Sequence, residues 1–137
     1  PLGDFKISDE SKEKNIIFIS TGVGIAPFRS MIPDLLENGF ENKITLLGGY
    51  KNENEVLYDK EFKGLSEKYD NFQYQTILSY SENNDRESGH VQKLLEKHFD
   101  KNADYYLCGL KDMINSVRIQ LVRKGVEMKN IFSEKYD

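Results

Sequence analysis

The run Ile16-Ile17-Phe18-Ile19-Ser20 is β-branched and aromatic, has no polar alternation, and passes straight into Thr21-Gly22-Val23-Gly24. A strand with no polar face has to be covered on both sides, which is the situation of a strand inside a parallel sheet. Beyond the glycines, Phe28, Met31, Ile32, Leu35 and Leu36 recur at i, i+3, i+4, i+7 and i+8, a helical stripe stopped by Asn38-Gly39. Strand, glycine turn and helix in direct succession restrict the chain to folds in which helices carry it back across a sheet.

The alternation continues to the end of the sequence. "KITLLGG" from Lys43 reads as a second strand, and "EVLYDKEFKGLSEKY" from Glu55 as a helical segment interrupted near Gly64. "FQYQTILS" from Phe72 alternates more than the others, as a strand near a sheet edge would. A polar loop, "YSENNDRESG", separates it from a short helix, "HVQKLLEKHF", with Val91, Leu94, Leu95 and His98 on one side. "ADYYLC" is a fourth strand. Leu110, Met113, Ile114, Val117 and Leu121 mark a further helix that stops at Gly125, and "NIFSEKY" is a fifth strand. Parallel crossovers are right-handed and each carries a helix back. The expected fold is therefore three-layer α/β/α with a five-stranded parallel sheet in the order 3-2-1-4-5, Rossmann-like. Pro33 predicts a kink in the first helix, because it removes a backbone hydrogen bond and crowds the carbonyl of Arg29.

A length of 137 residues fits one domain. The net charge of −4 without a basic stripe excludes a nucleic-acid or anionic-membrane surface. Runs such as "IIFI" fall far short of the roughly 18 apolar residues that suggest a membrane span. A lone cysteine, Cys108, makes no internal disulfide, and with no signal pattern at the start the expected compartment is the cytoplasm. His90, His98 and Cys108 lie at no metal-ligand spacing, so no metal site is expected.

In open α/β sheets ligands bind at the carboxyl ends of the strands. Those ends read Ser20-Thr21-Gly22, Gly48-Gly49-Tyr50, Ser79-Tyr80, Cys108-Gly109 and Ser133-Glu134, a small, polar, glycine-rich set. Small residues let a phosphorylated ligand approach the backbone, and the helix start beyond Gly24 offers N–H groups to a pyrophosphate. Pro27 stands where the third glycine of a dinucleotide fingerprint would be. At the first helical position its missing N–H is no loss and its fixed φ is already helical. On these residues alone the loop reads equally as a strand-to-helix turn, since a loose Gly-x-Gly match is weak evidence.

"STGVGIAPFRSM", "LLGGYKNENEVLY", "ILSY", "GHVQ", "YYLCGLKDMINSVRIQLVRKGV" and "IFSEKYD" together resemble, in order and over nearly the whole chain, the nucleotide-binding domain of the ferredoxin–NADP reductase family. "PLGDFKI" at the start resembles the end of that family's flavin-binding barrel. The resemblance implies that residues 1–14 are the end of a preceding flavin domain plus a linker, and that residues 15–137 are an NAD(P)-binding domain. It implies a nicotinamide cofactor, NADH or NADPH, whose hydride passes to FAD or FMN. The family's flavin signature, Arg-x-Tyr-Ser/Thr, is absent, so the flavin would belong to a domain outside these residues, in cis or in trans, with a downstream electron acceptor beyond it.

The same resemblance assigns roles. Thr21, Gly22, Val23, Gly24, Ile25, Ala26 and Pro27 form the pyrophosphate loop, with Val23 departing from the family's threonine. Gly48, Gly109, Leu110 and Met113 join the nucleotide site. Cys108 lies against the nicotinamide as a positioning thiol, Glu134 lies near the same ring, and Tyr136 reproduces a terminal Glu-x-Tyr spacing that Asp137 extends. Ser79-Tyr80 stands where NADPH-dependent members carry Ser-Arg, which favours NADH, while Arg86 in the following loop offers a guanidinium suited to a 2′-phosphate. A different class of function, a stand-alone nucleotide-binding or regulatory module without turnover, fits the same loop. Receiver and flavodoxin-like domains share the strand alternation but require acidic or hydroxyl-rich strand ends that are not found here.

Overall fold

The structure is a computed structural model that describes residues 5–80 and 86–137. Most of the polar loop after Tyr80, and the first residues of the barrel-like "PLGDFKI" stretch, lie outside the described residues. The elements follow in the order β1 (Ile16–Thr21), α1 (Ala26–Glu37), β2 (Ile44–Tyr50), α2 (Asp59–Lys68), β3 (Phe72–Leu78), β4 (Glu87–Ser88), α3 (Val91–His98), β5 (Asp104–Gly109), α4 (Lys111–Arg123) and β6 (Ile131–Lys135). They build one parallel sheet in the order β4-β3-β2-β1-β5-β6.

The five expected strands are present in the expected order, but the count is corrected to six. The addition, β4, is two residues long and pairs only with Ile77 and Leu78 of β3. Two residues carry no periodicity, so nothing in the sequence announces them. Over the rest of its length β3 is the sheet edge. Gln73 is exposed and Tyr74 and Gln75 are half-buried, whereas Thr76, Ile77 and Leu78 are buried.

The period of two along each strand sorts side chains into two cores. Ile16, Phe18, Ile44, Leu46 and Tyr106 pack with Phe28, Ile32, Leu35 and Leu36 of α1 and Phe62 of α2. Ile17, Ile19, Leu47, Tyr105 and Leu107 pack with Val91, Leu94 and Leu95 of α3 and Ile114, Val117 and Leu121 of α4. Phe18 is the centre of the first core, 4.8 Å from the Phe28 ring and 5.5 Å from the Tyr106 ring. Each such ring buried contributes about 2 kcal/mol or more by area.

Three local expectations are corrected, at Pro27, Gly64 and Leu110. Pro27 is the second residue of α1 rather than the first, because a 3₁₀ turn, Gly22–Ile25, fills the space between β1 and the helix. α1 continues through Pro33 to Glu37. α2 runs without interruption through Gly64, which is exposed and has open space where a side chain would be. Leu110 precedes α4 at its N-cap position and is 46 % exposed, so its fit to the helical stripe is coincidental.

Residues 5–14 pack on the domain. Phe5 lies 6.2 Å from Phe28 and 5.8 Å from Tyr106, ring to ring. Ser11 donates to Asp104 at 2.5 Å, Lys14 donates to the other carboxylate oxygen at 3.0 Å, and the Ser8 N–H donates to the Tyr106 hydroxyl at 2.8 Å. Asp104 is buried at the start of β5, where Ser11 and Lys14 satisfy its two carboxylate oxygens. Asp104→Ala is expected to lower unfolding free energy by about 2 kcal/mol, since it removes the carboxylate that Ser11 and Lys14 share and loosens residues 8–14 from β5, leaving Ser11 only the Tyr106 hydroxyl. A urea midpoint unchanged from that of the parent chain would contradict this.

Candidate functional site

The carboxyl ends of the strands enclose a cavity of ≈ 910 Å³ on the α3–α4 face of the sheet. Why it lies on that face follows from the pleat. Thr21, Gly49 and Gly109 share one phase of the alternation, and Ser20, Gly48 and Cys108 share the other, as the pairings Ser20 with Gly48 and Cys108 and Thr21 with Gly49 require. A Cβ on Gly49 would come within 2.7 Å of Val91, and one on Gly109 within 2.8 Å of Met113, both on the α3–α4 side. A Cβ on Gly48 would instead meet Tyr50 and Ile25.

Thr21, Gly22 and Val23 form one wall, and Leu110, Met113 and Tyr136 form another. Gly22 has φ 52°, a conformation that glycine adopts without a Cβ penalty. The Tyr136 hydroxyl would touch a Cβ there at 3.1 Å, and it donates to the Thr21 carbonyl at 3.3 Å. The terminal tyrosine therefore lies over the glycine loop at the mouth of the cavity. The Tyr136 N–H bonds the Gly109 carbonyl at 3.2 Å, and the Asp137 carboxylate accepts from the Lys111 N–H at 2.8 Å, so the last two residues are tied to the start of α4. Asp137, which in sequence is only an extension of the Glu-x-Tyr spacing, thus serves as a cap for that helix.

Ser79 lines the cavity, but Tyr80 does not and is 73 % exposed. Gly24, Ile25, Ala26 and Pro27 stand behind the lining: Gly24 and Ile25 are buried supports and Ala26-Pro27 start α1. Gly24 backs directly onto the Cys108 and Gly109 backbone. Gly48 and Gly109 likewise support the cavity and do not form its surface. Arg86 is not at the surface either, because its guanidinium is engaged by Glu53, Asp59 and Thr76.

Cys108 and Glu134 are brought together. They are register partners across β5 and β6, with Cys108 fully buried in the α1-side core. Burial, and secondarily the Glu134 charge, raises the thiol from 9.0 to about 11. Both lie on the sheet face opposite the cavity, at its end.

Gly49 and Tyr50, which the sequence places at a strand end without a role of their own, line the cavity, and so do Lys51, Glu55, Leu57, Gly89, His90, Val91, Gln92 and Asp112, which the reading from sequence did not single out. "GHVQ" is itself among the resembling stretches, and it supplies the start of α3. Gln92 Oε1 and Thr21 Oγ1 are buried without a hydrogen-bond partner among the described residues, Thr21 Oγ1 lying against Gly109. Lys51 supplies a cation on the wall and Glu55 and Asp112 supply carboxylates. A glycine-lined cleft of this size at the strand ends, with the start of α4 at its wall, suits an elongated, phosphorylated, partly aromatic ligand.

Residues 18–119 match the family of oxidoreductase NAD-binding domains. The chain belongs to that family. The reductase component of phenol 2-monooxygenase from Pseudomonas sp. is 34 % identical over 143 residues, covering 99 % of this chain and 40 % of that protein. The electron transfer component of anthranilate 1,2-dioxygenase from Acinetobacter baylyi is 30 % identical over 139 residues, covering 99 % of this chain and 40 % of its own length. The ferredoxin–NADP⁺ reductase of Plasmodium falciparum superimposes with a TM-score of 0.77 at 26 % identity, over 96 % of this chain and 57 % of that one. This NAD-binding domain thus spans well under two thirds of the curated relatives it matches. No helix among its described residues is long and apolar enough to cross a membrane.

Proposed function

We propose that the chain is the nicotinamide-nucleotide module of a flavin-dependent reductase, binding NAD(P)H in the strand-end cavity. The observation that carries this reading is the cavity itself, a cleft at the carboxyl ends of the parallel strands lined by the glycine turn at Gly22, by Gly49 and by the start of α4. When bound, the nicotinamide supplies a hydride, two electrons with a proton, to FAD or FMN held by another domain in cis or in trans. The chain's own residues bind and orient. The glycine turn admits the pyrophosphate to the backbone, Met113 and Leu110 offer an apolar side, and Tyr136 covers the loop at the open end. Cys108 with Glu134 closes the sheet beneath that end as an uncharged thiol beside a carboxylate. Orientation of this kind is the protein's share of cofactor chemistry.

NADH is the preferred form in this reading. Tyr80 brings no charge to the end of β3, Arg86 is already held by two carboxylates, and Glu55 and Asp112 add negative charge to the lining. The Glu55 and Asp112 carboxylates outnumber Lys51, the one lysine of the lining among the described residues, so a 2′-phosphate would meet a net negative wall. The electron acceptor is a protein or small molecule of the kind served by the monooxygenase and dioxygenase relatives, which are named as a reductase component and an electron transfer component.

Calorimetric titration of the chain with NADH and NADPH tests this. Saturable binding of NADH with a Kd below about 1 mM, equivalent to about −4 kcal/mol, and weaker binding of NADPH are expected. No heat from either nucleotide would overturn the assignment. Tighter binding of NADPH would overturn the preference alone.

A further inference from the structure

Arg86 is held by more side-chain hydrogen bonds than any nucleotide-site role would leave room for. Its Nε donates to both oxygens of Glu53, at 2.9 and 3.1 Å, and its Nη2 to Glu53 at 2.9 Å and Asp59 at 3.0 Å. Its Nη1 donates to the Thr76 hydroxyl at 2.7 Å and to the other Asp59 oxygen at 3.3 Å. The side chain is only 11 % exposed. Burial works against the Asp59 carboxylate, but hydrogen bonds from Arg86, Lys63 and Tyr74 outweigh it and hold the group at about 2. The planar fork of an arginine is what permits three partners at fixed angles, and a lysine cannot reproduce it.

Those partners belong to two different parts of the fold. Thr76 is a buried residue of β3. Glu53 begins a single 3₁₀ turn, Glu53–Glu55, in the connection from β2 to α2, and Asp59 begins α2. Among the described residues, Glu53 is joined to β3 through Arg86, whereas Asp59 also accepts from the Tyr74 hydroxyl of β3 at 2.8 Å and the Lys51 carbonyl accepts from the Tyr80 N–H at 2.7 Å. Lys51, Glu55 and Leu57 of the same connection form a wall of the cavity. The connection closes with Tyr58 at φ 57°, a left-handed conformation that a bulky side chain adopts only when its surroundings impose it. Arg29 of α1 supplies part of that constraint, stacked 4.3 Å above the Tyr58 ring and paired with Glu61.

We propose that Arg86 is a positioning residue for the nucleotide site: by clamping Glu53 and Asp59 to Thr76 it fixes the connection between β2 and α2 as a preformed wall. The residue that the sequence offered as a phosphate ligand instead acts one layer back, through the Glu55 and Leu57 part of the wall, which lies between its partners Glu53 and Asp59. A wall ordered before binding does not have to be ordered by the ligand, and the difference is realised as affinity. The effect on affinity rests on the NAD(P)H reading; the clamp itself does not.

Arg86→Gln and Arg86→Lys test it in the full chain, with Asp104→Ala, at the opposite end of the sheet, as the control for general destabilisation. Hydrogen exchange of the free chain reads the clamp, and calorimetry with NADH reads affinity. In Arg86→Gln, amides of residues 53–57 are expected to lose protection while those of β1, β2 and β5 keep theirs, and the NADH Kd is expected to rise about tenfold. Arg86→Lys restores part of both, and Asp104→Ala leaves the Kd within about twofold of the parent chain. Unchanged protection at residues 53–57 overturns the clamp. Lost protection with an unchanged Kd, or an equal rise in Kd in the Asp104→Ala control, overturns the positioning role. If the unsubstituted chain binds no nucleotide, the functional reading and the positioning role fall together, while the exchange measurement still decides the clamp.

Discussion

Alanine at Gly24 is expected to destabilise the chain by about 3 kcal/mol, lower its Tm by about 10 °C, and weaken NADH binding at least about tenfold. A Cβ there would lie 2.6 Å from the Cys108 carbonyl carbon and 2.9 Å from Gly109 Cα, and nearer still to the Cys108 carbonyl oxygen. Those are backbone atoms of a central strand. A flexible side chain would swing aside, but β5 is hydrogen-bonded to β1 on one side and β6 on the other, so the turn has to move instead. Moving it displaces Gly22 and Val23, which form the cavity wall, from Tyr136 and the end of β5. Stability and affinity therefore fall together. Gly64→Ala is the contrast. It lies inside α2, is exposed, and its Cβ would meet nothing within 4 Å, so it is expected to add about 0.5–1 kcal/mol and leave affinity alone. Urea denaturation and calorimetry on the two variants check both. A Gly24→Ala chain with the parent's midpoint and Kd would mean that the loop does not rest on β5 as described.

Gly24 also shows what can be read from sequence and what cannot. The strand-turn-helix succession is written in the residues themselves, because a run such as "IIFI" can only be buried and a 3-4 stripe can only face a sheet. That is why the order of the longer strands and the position of the glycine loop are legible. The phase of the pleat at a glycine pair is not, since neither glycine carries a side chain to declare its face. The strand-end rule names Gly48 and Gly49 together, and only the pairing of β2 with β1 shows that Gly49 is the one on the cavity lining. The same blindness applies to Arg86. A guanidinium in a polar loop reads as available until the fold shows two carboxylates, Glu53 and Asp59, brought up from more than 20 residues earlier in the chain. Leu110 fits a helical stripe by spacing, yet the helix starts one residue later. Residues 5–14 carry too little pattern to announce that Phe5 and Ser11 reach the core across β5.

Alkaline pH is expected to unfold the chain in a way that Cys108→Ala partly relieves, and the reason bears on what this thiol does. In the folded chain burial, reinforced by the charge of Glu134, raises the thiol from 9.0 to about 11. Below about pH 9 the folded and unfolded states both keep the proton, so stability is undiminished. Between about 9 and 11 the unfolded chain releases it and the folded chain does not, so stability falls as pH rises, by about 1.4 kcal/mol per pH unit and about 2–3 kcal/mol in all from this one group. Burial likewise raises Tyr50 and Tyr105 to about 12, and their losses begin one unit higher. The difference between urea midpoints at pH 8 and pH 10.5 should therefore be smaller in Cys108→Ala than in the parent chain, with the tyrosine share common to both. Alkylation at pH 7.5 should be slow in the folded chain and complete once it is unfolded. Rapid labelling of the native thiol, or a pH difference identical in the two chains, would contradict a neutral, buried Cys108. A thiol held uncharged next to a carboxylate is a poor nucleophile and a compact, non-ionic neighbour. At the strand end below the cavity such a thiol fills space in the α1-side core, a role that serine at position 108 would imitate in size and alanine would leave as a gap.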